Sequence, residues 1–461
     1  SPARAAVKIA LFDPPGETAR WLAGRGVVCG SVDAEADLSS FDVLLIGKKA
    51  LTADGPAPAL ARVRDGLKVV VFEQSGEALE KRLGFRVEEY GLRQVWPRVP
   101  DSPLLTGLKA ENLRDWRGAS TLLPPTLDYT LNPRYNGAPT VRWCGLDVTR
   151  LWRCGNRGSV ASVLIEKPPR GDFLPIVDGG YALQYSPLLE YREGRGMVLF
   201  CQMDLTGRTE QDPAAETLAD NILRYVEAWR PPVRRTAVYA GEPAGLAWLK
   251  ACGIEAAFFR GEPLTADQAL VVGPGGEREL AAHAAAVADW VKAGGRVLAL
   301  GLDQVEASSF LPMQITIQAR EHIAATFPPF GGQSLLAGVA PADVHNRDPR
   351  TIPLISGGAT VYGDGVLASA GNVVFCQLLP WHFSHDPEQF NLRRTFGRTS
   401  FAVSRLLANL GVSGSTPLLE RFGEPVGTSQ GPSILRNGDF SVDADGEDRK
   451  STRLNSSHTI Q

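Results

Sequence analysis

Short unbroken apolar runs alternate with amphipathic stretches along most of this chain. Near the start, "KIALFDPPGETARWLAGRGV" reads as an apolar strand, a Pro/Gly turn and a helix with one apolar face. "FDVLLIG" and "GLKVVVFEQ" then supply two more strands of continuous apolar residues. A strand covered on both faces loses the in/out alternation of a half-solvated one, so these runs predict parallel sheets with helices on either side.

The pattern occurs twice. "RTAVYAGEPAGLAWLKACGI" repeats the opening unit, with Trp248, Leu249 and Gly253 answering Trp21, Leu22 and Gly26. "DQALVVG" answers "FDVLLIG", and "GGRVLALGL" answers "GLKVVVFEQ". The strongest echo is late: "GMVLFCQMD" against "GNVVFCQLL", which sets Phe200, Cys201 and Gln202 against Phe375, Cys376 and Gln377. Self-similarity of this kind predicts a duplicated unit. The expected domains are residues 7–230 and 234–413, joined by "WRPPVRR", whose prolines stop one helix and space the next strand.

The first copy carries an insertion over about residues 119–190, rich in Trp, Tyr, Pro and Gly. Its segment "WRCGNRGSVASVLIEKP" alternates apolar positions, which predicts extra β structure beside the sheet. Residues 414–433 read as a Gly/Ser/Pro linker, and 434–447 ("ILRNGDFSVDADGE") as the truncated start of another module. From Asp448 to His458, "DRKSTRLNSSH" resembles a sequencing-library adapter translated in one frame. Residues 448–461 are therefore expected to lie outside the native fold, and the chain to be a piece of a larger protein.

With 461 residues, 44% hydrophobic and 21% charged, the chain has the composition of a multidomain globular protein. A net charge of −3 gives no electrostatic footing for nucleic acid or an anionic membrane, and no apolar run approaches a bilayer-crossing length. Neither partner is expected. Six cysteines are too few for a disulfide scaffold; only Cys144 and Cys154 are close enough to suggest a pair across a hairpin, and two free thiols is the favoured reading of them. No four-ligand zinc pattern occurs, so neither metal nor cofactor is expected.

The strand–helix order of each copy resembles the class I glutamine amidotransferase-like fold, a flavodoxin-like α/β architecture. The fold expectation is thus two tandem flavodoxin-like domains with mainly parallel sheets and a β-rich insertion in the first. "VVVFEQSGEALEKRLGFRVEEYGLRQVW", "LRDWRGASTLL", "CGNRGSVASVLIEKP" and "GMVLFCQMDLTGRTEQDPAAETLADNILRYVEAW" resemble segments of large bacterial glycoside hydrolases similar to family 2, the β-galactosidase-like group. In those proteins amidotransferase-like domains follow the sugar-cleaving barrel. The likeness covers about residues 7–413, and "RNGDFS" is similar to the first strand of a carbohydrate-binding β-sandwich. It implies an accessory region in carbohydrate degradation, with other modules of the parent chain, carbohydrate, or a second copy as partners. The parent family implies a secreted or periplasmic location, which a chain opening at Ser1 leaves undecided.

The amidotransferase nucleophile is a cysteine on a glycine-flanked elbow, activated by a histidine. At that elbow the two copies carry Glu73-Gln74 and Gly301-Leu302, so the triad is expected to be absent and no catalytic residue is assigned. A divergent amidase or hydrolase would have to use Ser75 or Cys201. Cys201 lies in an apolar run, and the first copy contains no histidine. "WHFSHDPE" gathers His382, His385, Asp386 and Glu388, a metal-like set or a solvated loop, and "GPGGERE" lacks the spacing of a phosphate loop. Open α/β sheets bind ligands at the C-terminal ends of their strands. Asp13, Glu73 and Asp204 are expected to gather there in the first copy. With Gln74, Arg208 and a stacking face on Trp116, they form a candidate carbohydrate cleft; a cleft filled by a neighbouring module is the other reading.

Overall fold

The computed structural model describes residues 7–123, 140–143, 146–149, 156–383, 385–386 and 389–424. Cys144, Cys154, Glu388, the linker after 424, the sandwich-like start and the adapter-like tail lie outside them. The described residues fall into two compact units. One holds residues 7–166, 175–231 and 419–424; the other holds 167–174 and 232–418.

In the first unit, β1 (Ile9–Phe12), β2 (Gly30–Ser31), β3 (Val43–Ile46) and β4 (Lys68–Val71) are followed by β5 (Val87–Leu92), β6 (Ala161–Glu166), β7 (Tyr185–Glu193) and β8 (Gly196–Cys201). They lie side by side in the order β2-β1-β3-β4-β8-β7-β6-β5. The first five are mutually parallel, with Val43 opposite Lys68 and Val198 opposite Val69. This is the 2-1-3-4-5 order of flavodoxin-like sheets. Beyond β8 the pairing turns antiparallel through β7, β6 and β5, so much of the predicted insertion extends the sheet. Val43 to Ile46 and Val69 to Val71 are fully buried, as unbroken apolar runs demand. Helix α1 (Glu17–Gly24) supplies the crossover from β1 to β2, and α2 (Pro213–Ala228) follows β8. Asp212 caps α2 by accepting from Ala214 N at 2.9 Å, with Pro213 in the first turn where its missing N–H costs nothing.

The second unit contains β9 (Thr236–Ala240), β10 (Ala256–Phe258), β11 (Gln268–Val272), β12 (Arg296–Leu300), β13 (Thr360–Tyr362), β14 (Leu367–Ala370) and β15 (Val373–Cys376). Their order is β10-β9-β11-β12-β15-β14-β13, again parallel through the fifth and antiparallel thereafter. Both units are therefore flavodoxin-like α/β sheets. Strand alternation divides the core into two layers. Tyr239, Val271, Leu298 and Val374 pack against α3 (Pro243–Ala251) and the long helix Phe390–Leu410 through Trp248, Leu249, Val403, Leu406 and Leu410. Val238, Leu270, Ala299 and Phe375 pack on the other face with Val287, Val291 and Phe310. Gly411, at φ 101°, ends the long helix in the left-handed conformation that glycine tolerates best.

Edge strands β2 and β10 have no counterpart in the sequence reading. Both are short, two and three residues, and β2 is exposed at both of its residues.

Candidate functional site

The C-terminal ends of β1, β3, β4 and β8 converge on the residues singled out from sequence. Glu73 and Gln74 leave β4, Asp204 and Arg208 follow β8, Asp13 follows β1, and Trp116 opens the short strand Trp116–Ala119. Glu73 and Gln74 are fully buried, and Trp116, Asp204 and Arg208 are within 3% of it. Asp13 alone is half-buried.

Their polar atoms bind the protein's own chain. Glu73 Oε1 accepts from the N–H groups of Leu205 (2.8 Å) and Thr206 (2.7 Å), and Oε2 accepts from Thr206 Oγ1 (2.9 Å). Gln74 Oε1 accepts from Leu51 N at 2.9 Å while Nε2 donates to the carbonyls of Gly47 and Phe72. Asp204 accepts from Ser159 Oγ at 2.8 Å and Ser162 Oγ at 2.9 Å. Arg208 donates to the carbonyls of Trp116, Arg117 and Ser159, its guanidinium 5.9 Å from the Trp116 ring centroid. Trp116 donates its indole N–H to Asn112 O at 2.8 Å.

Burial sets the electrostatics here. It pushes the Glu73 carboxyl above its usual range, opposed by the Lys48 charge and the Thr206 N–H. It does the same to Asp204, opposed by the Ser159 and Ser162 hydroxyls, and to Asp13, opposed by the Ala19 and Thr18 amides. Lys48, which the sequence reading passed over, places its ammonium between Glu17 and Thr121 with its side chain 3% exposed. The "GKK" after β3 was the available signal.

The elbow positions carry no cysteine. Ser75, beside them, accepts from Ala78 N at 3.2 Å and so closes the following turn. Cys201 and Cys376 end β8 and β15, both fully buried. Burial, followed by the nearby Glu73 charge, raises the Cys201 thiol well above its usual value, and burial raises Cys376 to about 12. A thiol held neutral in an apolar layer is a poor nucleophile at physiological pH.

The corresponding edge of the second unit is arranged differently. Glu242, just after β9, accepts from Trp381 Nε1 and lies 3.0 Å from His382 Nε2. His382 and Glu242 side chains are 49% and 34% exposed. His385 instead sets its ring 5.3 Å from Phe396, and among the described residues no three His, Cys, Asp or Glu side chains are grouped to hold a metal. In "GPGGERE", Gly275 N–H donates to Glu306 Oε1 at 2.8 Å, which ties the turn to the helix Gln304–Phe310. No helix among the described residues is long and apolar enough to cross a membrane.

No family model matches the chain, and no curated protein matches it in sequence. Among solved structures it is similar to a protein of Thermoplasma acidophilum described as part of a GMP synthase, at 13% identity and a TM-score of 0.29, over 49% of this chain and 96% of that one. It is similar to the cold-adapted β-galactosidase of Rahnella sp. R3, at 13% identity and a TM-score of 0.27, over 50% of this chain and 33% of that one. PurLQS from Thermotoga maritima matches at 12% identity and a TM-score of 0.25, over 38% of this chain and 99% of that one. The match thus spans a third of the β-galactosidase chain. Likenesses this distant carry no functional weight.

The pairing of Glu242 with Trp381 and His382 escaped the sequence reading because the partners are 139 and 140 residues apart. Its one trace was "WH" shortly after the last strand of a copy whose first strand is followed by Glu.

Proposed function

We propose that this chain is a non-catalytic accessory region of a β-galactosidase-like glycoside hydrolase, built from two tandem amidotransferase-like domains that act as scaffold. The resemblance of residues 7–413 to such proteins supplies the parent class. The supporting observation is the use made of the first unit's reactive corner. Glu73 and Gln74 stand where the amidotransferase nucleophile would, both fully buried, Glu73 committed to Leu205 and Thr206 and the Gln74 side-chain amide to Leu51, Gly47 and Phe72. Folds do not confer chemistry; sites do, and this corner has the chemistry of a structural joint.

The test is covalent labelling of the folded chain with a fluorophosphonate and with iodoacetamide, mapped by mass spectrometry. The accessory reading expects Ser75 and Cys201 to remain unmodified until the protein unfolds. Rapid modification of either in the folded state, lost in Ser75→Ala or Cys201→Ala, would replace it with a divergent hydrolase.

A further inference from the structure

The corresponding sheet edges of the two units differ in what they leave open. In the first, the carboxylate that receives the segment crossing behind the last parallel strand is Glu73, which is wholly buried with both oxygens bonded. In the second, the crossing segment is received by Glu242, which is not. Trp381 and His382 both approach Oε1, and Oε2 has no partner among the described residues. His382 uses Nε2 on Glu242, and its Nδ1 likewise has none.

This cluster stands where the strand order reverses between β9 and β11, the place at which open α/β sheets take ligands. Gly241 and Gly273 follow those strands, and a Cβ on Gly241 would come within 3.0 Å of Gly273 Cα. The missing side chains admit the Tyr239 hydroxyl, which crowds the Cβ position of Gly245 and lies 2.8 Å from that of Gly273, and beside it Trp381, whose Cζ2 lies 3.1 and 3.5 Å from the same positions. Trp381 is half-buried, with its indole N–H on Glu242 and its ring centroid 6.0 Å from that of Trp248.

We propose that Glu242, His382 and Trp381 form a binding site for a neutral saccharide. A sugar presents adjacent hydroxyls, which both donate and accept, next to an apolar C–H face. The site offers a carboxylate oxygen as acceptor, an imidazole nitrogen and an indole in one place. The Glu242 charge disfavours phosphates and carboxylates, and one carboxylate with one imidazole falls short of a metal's ligand set. Arg350, the neighbouring cation, donates to the His382 carbonyl at 3.2 Å and stands 4.3 Å from the Phe383 ring centroid, where it steadies the segment bearing the site. The saccharide assignment rests on the accessory reading above and gives that region a task beyond scaffolding.

The experiment is isothermal calorimetry of the full chain with lactose and with a β-1,4-linked galactotetraose at millimolar concentrations. In parallel, the His382 imidazole resonances are followed by NMR through the same titration. Saturable binding is expected, with the His382 signals shifting along the same isotherm. Glu242→Gln and His382→Ala should each weaken binding at least about tenfold, the loss of one good hydrogen bond to a charged or aromatic partner, without changing the unfolding midpoint. A flat titration with both sugars overturns the proposal, and so does binding that leaves the His382 signals unmoved. Either failure leaves the accessory reading standing, because that reading falls only on labelling of Ser75 or Cys201.

Discussion

Gln202 clasps the main chain of Gln74 on both sides of its Cα: its Oε1 accepts the Gln74 N–H at 2.9 Å and its Nε2 donates to the Gln74 carbonyl at 2.9 Å. The clasp joins β8 to β4 just beyond the last ladder pair, Phe200 opposite Val71. In the second unit Gln377 makes half of it, donating to Leu302 O at 3.1 Å while its Oε1 is buried without a partner. Gln202→Leu would strand both a donor and an acceptor of buried main chain, at a cost of about 2–4 kcal/mol. Gln377→Leu strands one carbonyl and removes an unsatisfied oxygen, so its cost should be below about 1.5 kcal/mol. Urea denaturation of the two variants should rank them in that order; equal losses would contradict the asymmetry.

Asp204 makes stability depend on pH with a definite sign. Burial raises its carboxyl above 3.8 in the folded protein, so between that value and the folded one the native state holds more protons than the unfolded chain. Stability contributed by this group is therefore present at low pH and lost as pH rises through the folded value. Asp204→Asn removes the titration while keeping groups that the Ser159 and Ser162 hydroxyls can face. The unfolding free energy of the wild type minus that of the variant should fall as pH rises from about 4 towards 7. A difference that grows with pH would reverse the assignment.

Cysteine reactivity should follow burial. Cys29 is half-buried, whereas Cys201, Cys252 and Cys376 are buried and free, with Cys252 and Cys376 each raised to about 12 by burial. Pulsed iodoacetamide labelling of native protein should modify Cys29 well before these three, which should react only once denaturant is added. Prompt modification of Cys376 in native protein would show that its layer opens readily.

Asp172 is fully buried in the second unit, bonded to Arg405 Nη1 at 2.8 Å and to Arg234 Nη1 at 2.7 Å, with the Arg405 side chain 1% exposed. Asp172→Ala leaves a buried guanidinium short of its counter-charge and should destabilise the unit by about 3–5 kcal/mol. Thermal unfolding reads this directly. Arg234→Ala, on the more exposed side, should cost less; a larger loss there would place the weight of the pair on the wrong arginine.

The sheets were legible because their signal is local. "VLLI" and "KVVV" cannot be half-solvated strands, and the repeated "FCQ" placed matching strands in both copies. The fate of Glu73, Asp204 and Arg208 was not legible. A carboxylate at a strand end reads identically whether it faces water or an amide 133 residues further on, as Glu73 faces Thr206. Sequence reasoning gathered the right side chains at the edge of the first sheet but had no access to their burial, which is set by the 203–209 segment and the Ser159–Ser162 stretch. For "WHFSHDPE", proximity along the chain suggested His382 with His385, whereas the fold sends His382 to Glu242.

Because residues 167–174 belong with the second unit and 419–424 with the first, neither unit is one continuous stretch of gene. A truncation after Pro231 would discard Phe422, whose carbonyl receives the Arg82 guanidinium at 2.7 Å, and would leave that buried cation with the Thr52 and Gly55 carbonyls and nothing on the Phe422 side. Cloning boundaries drawn at the proline linker would therefore yield two damaged halves, and transplanting either copy into another protein requires carrying its distant peptide with it.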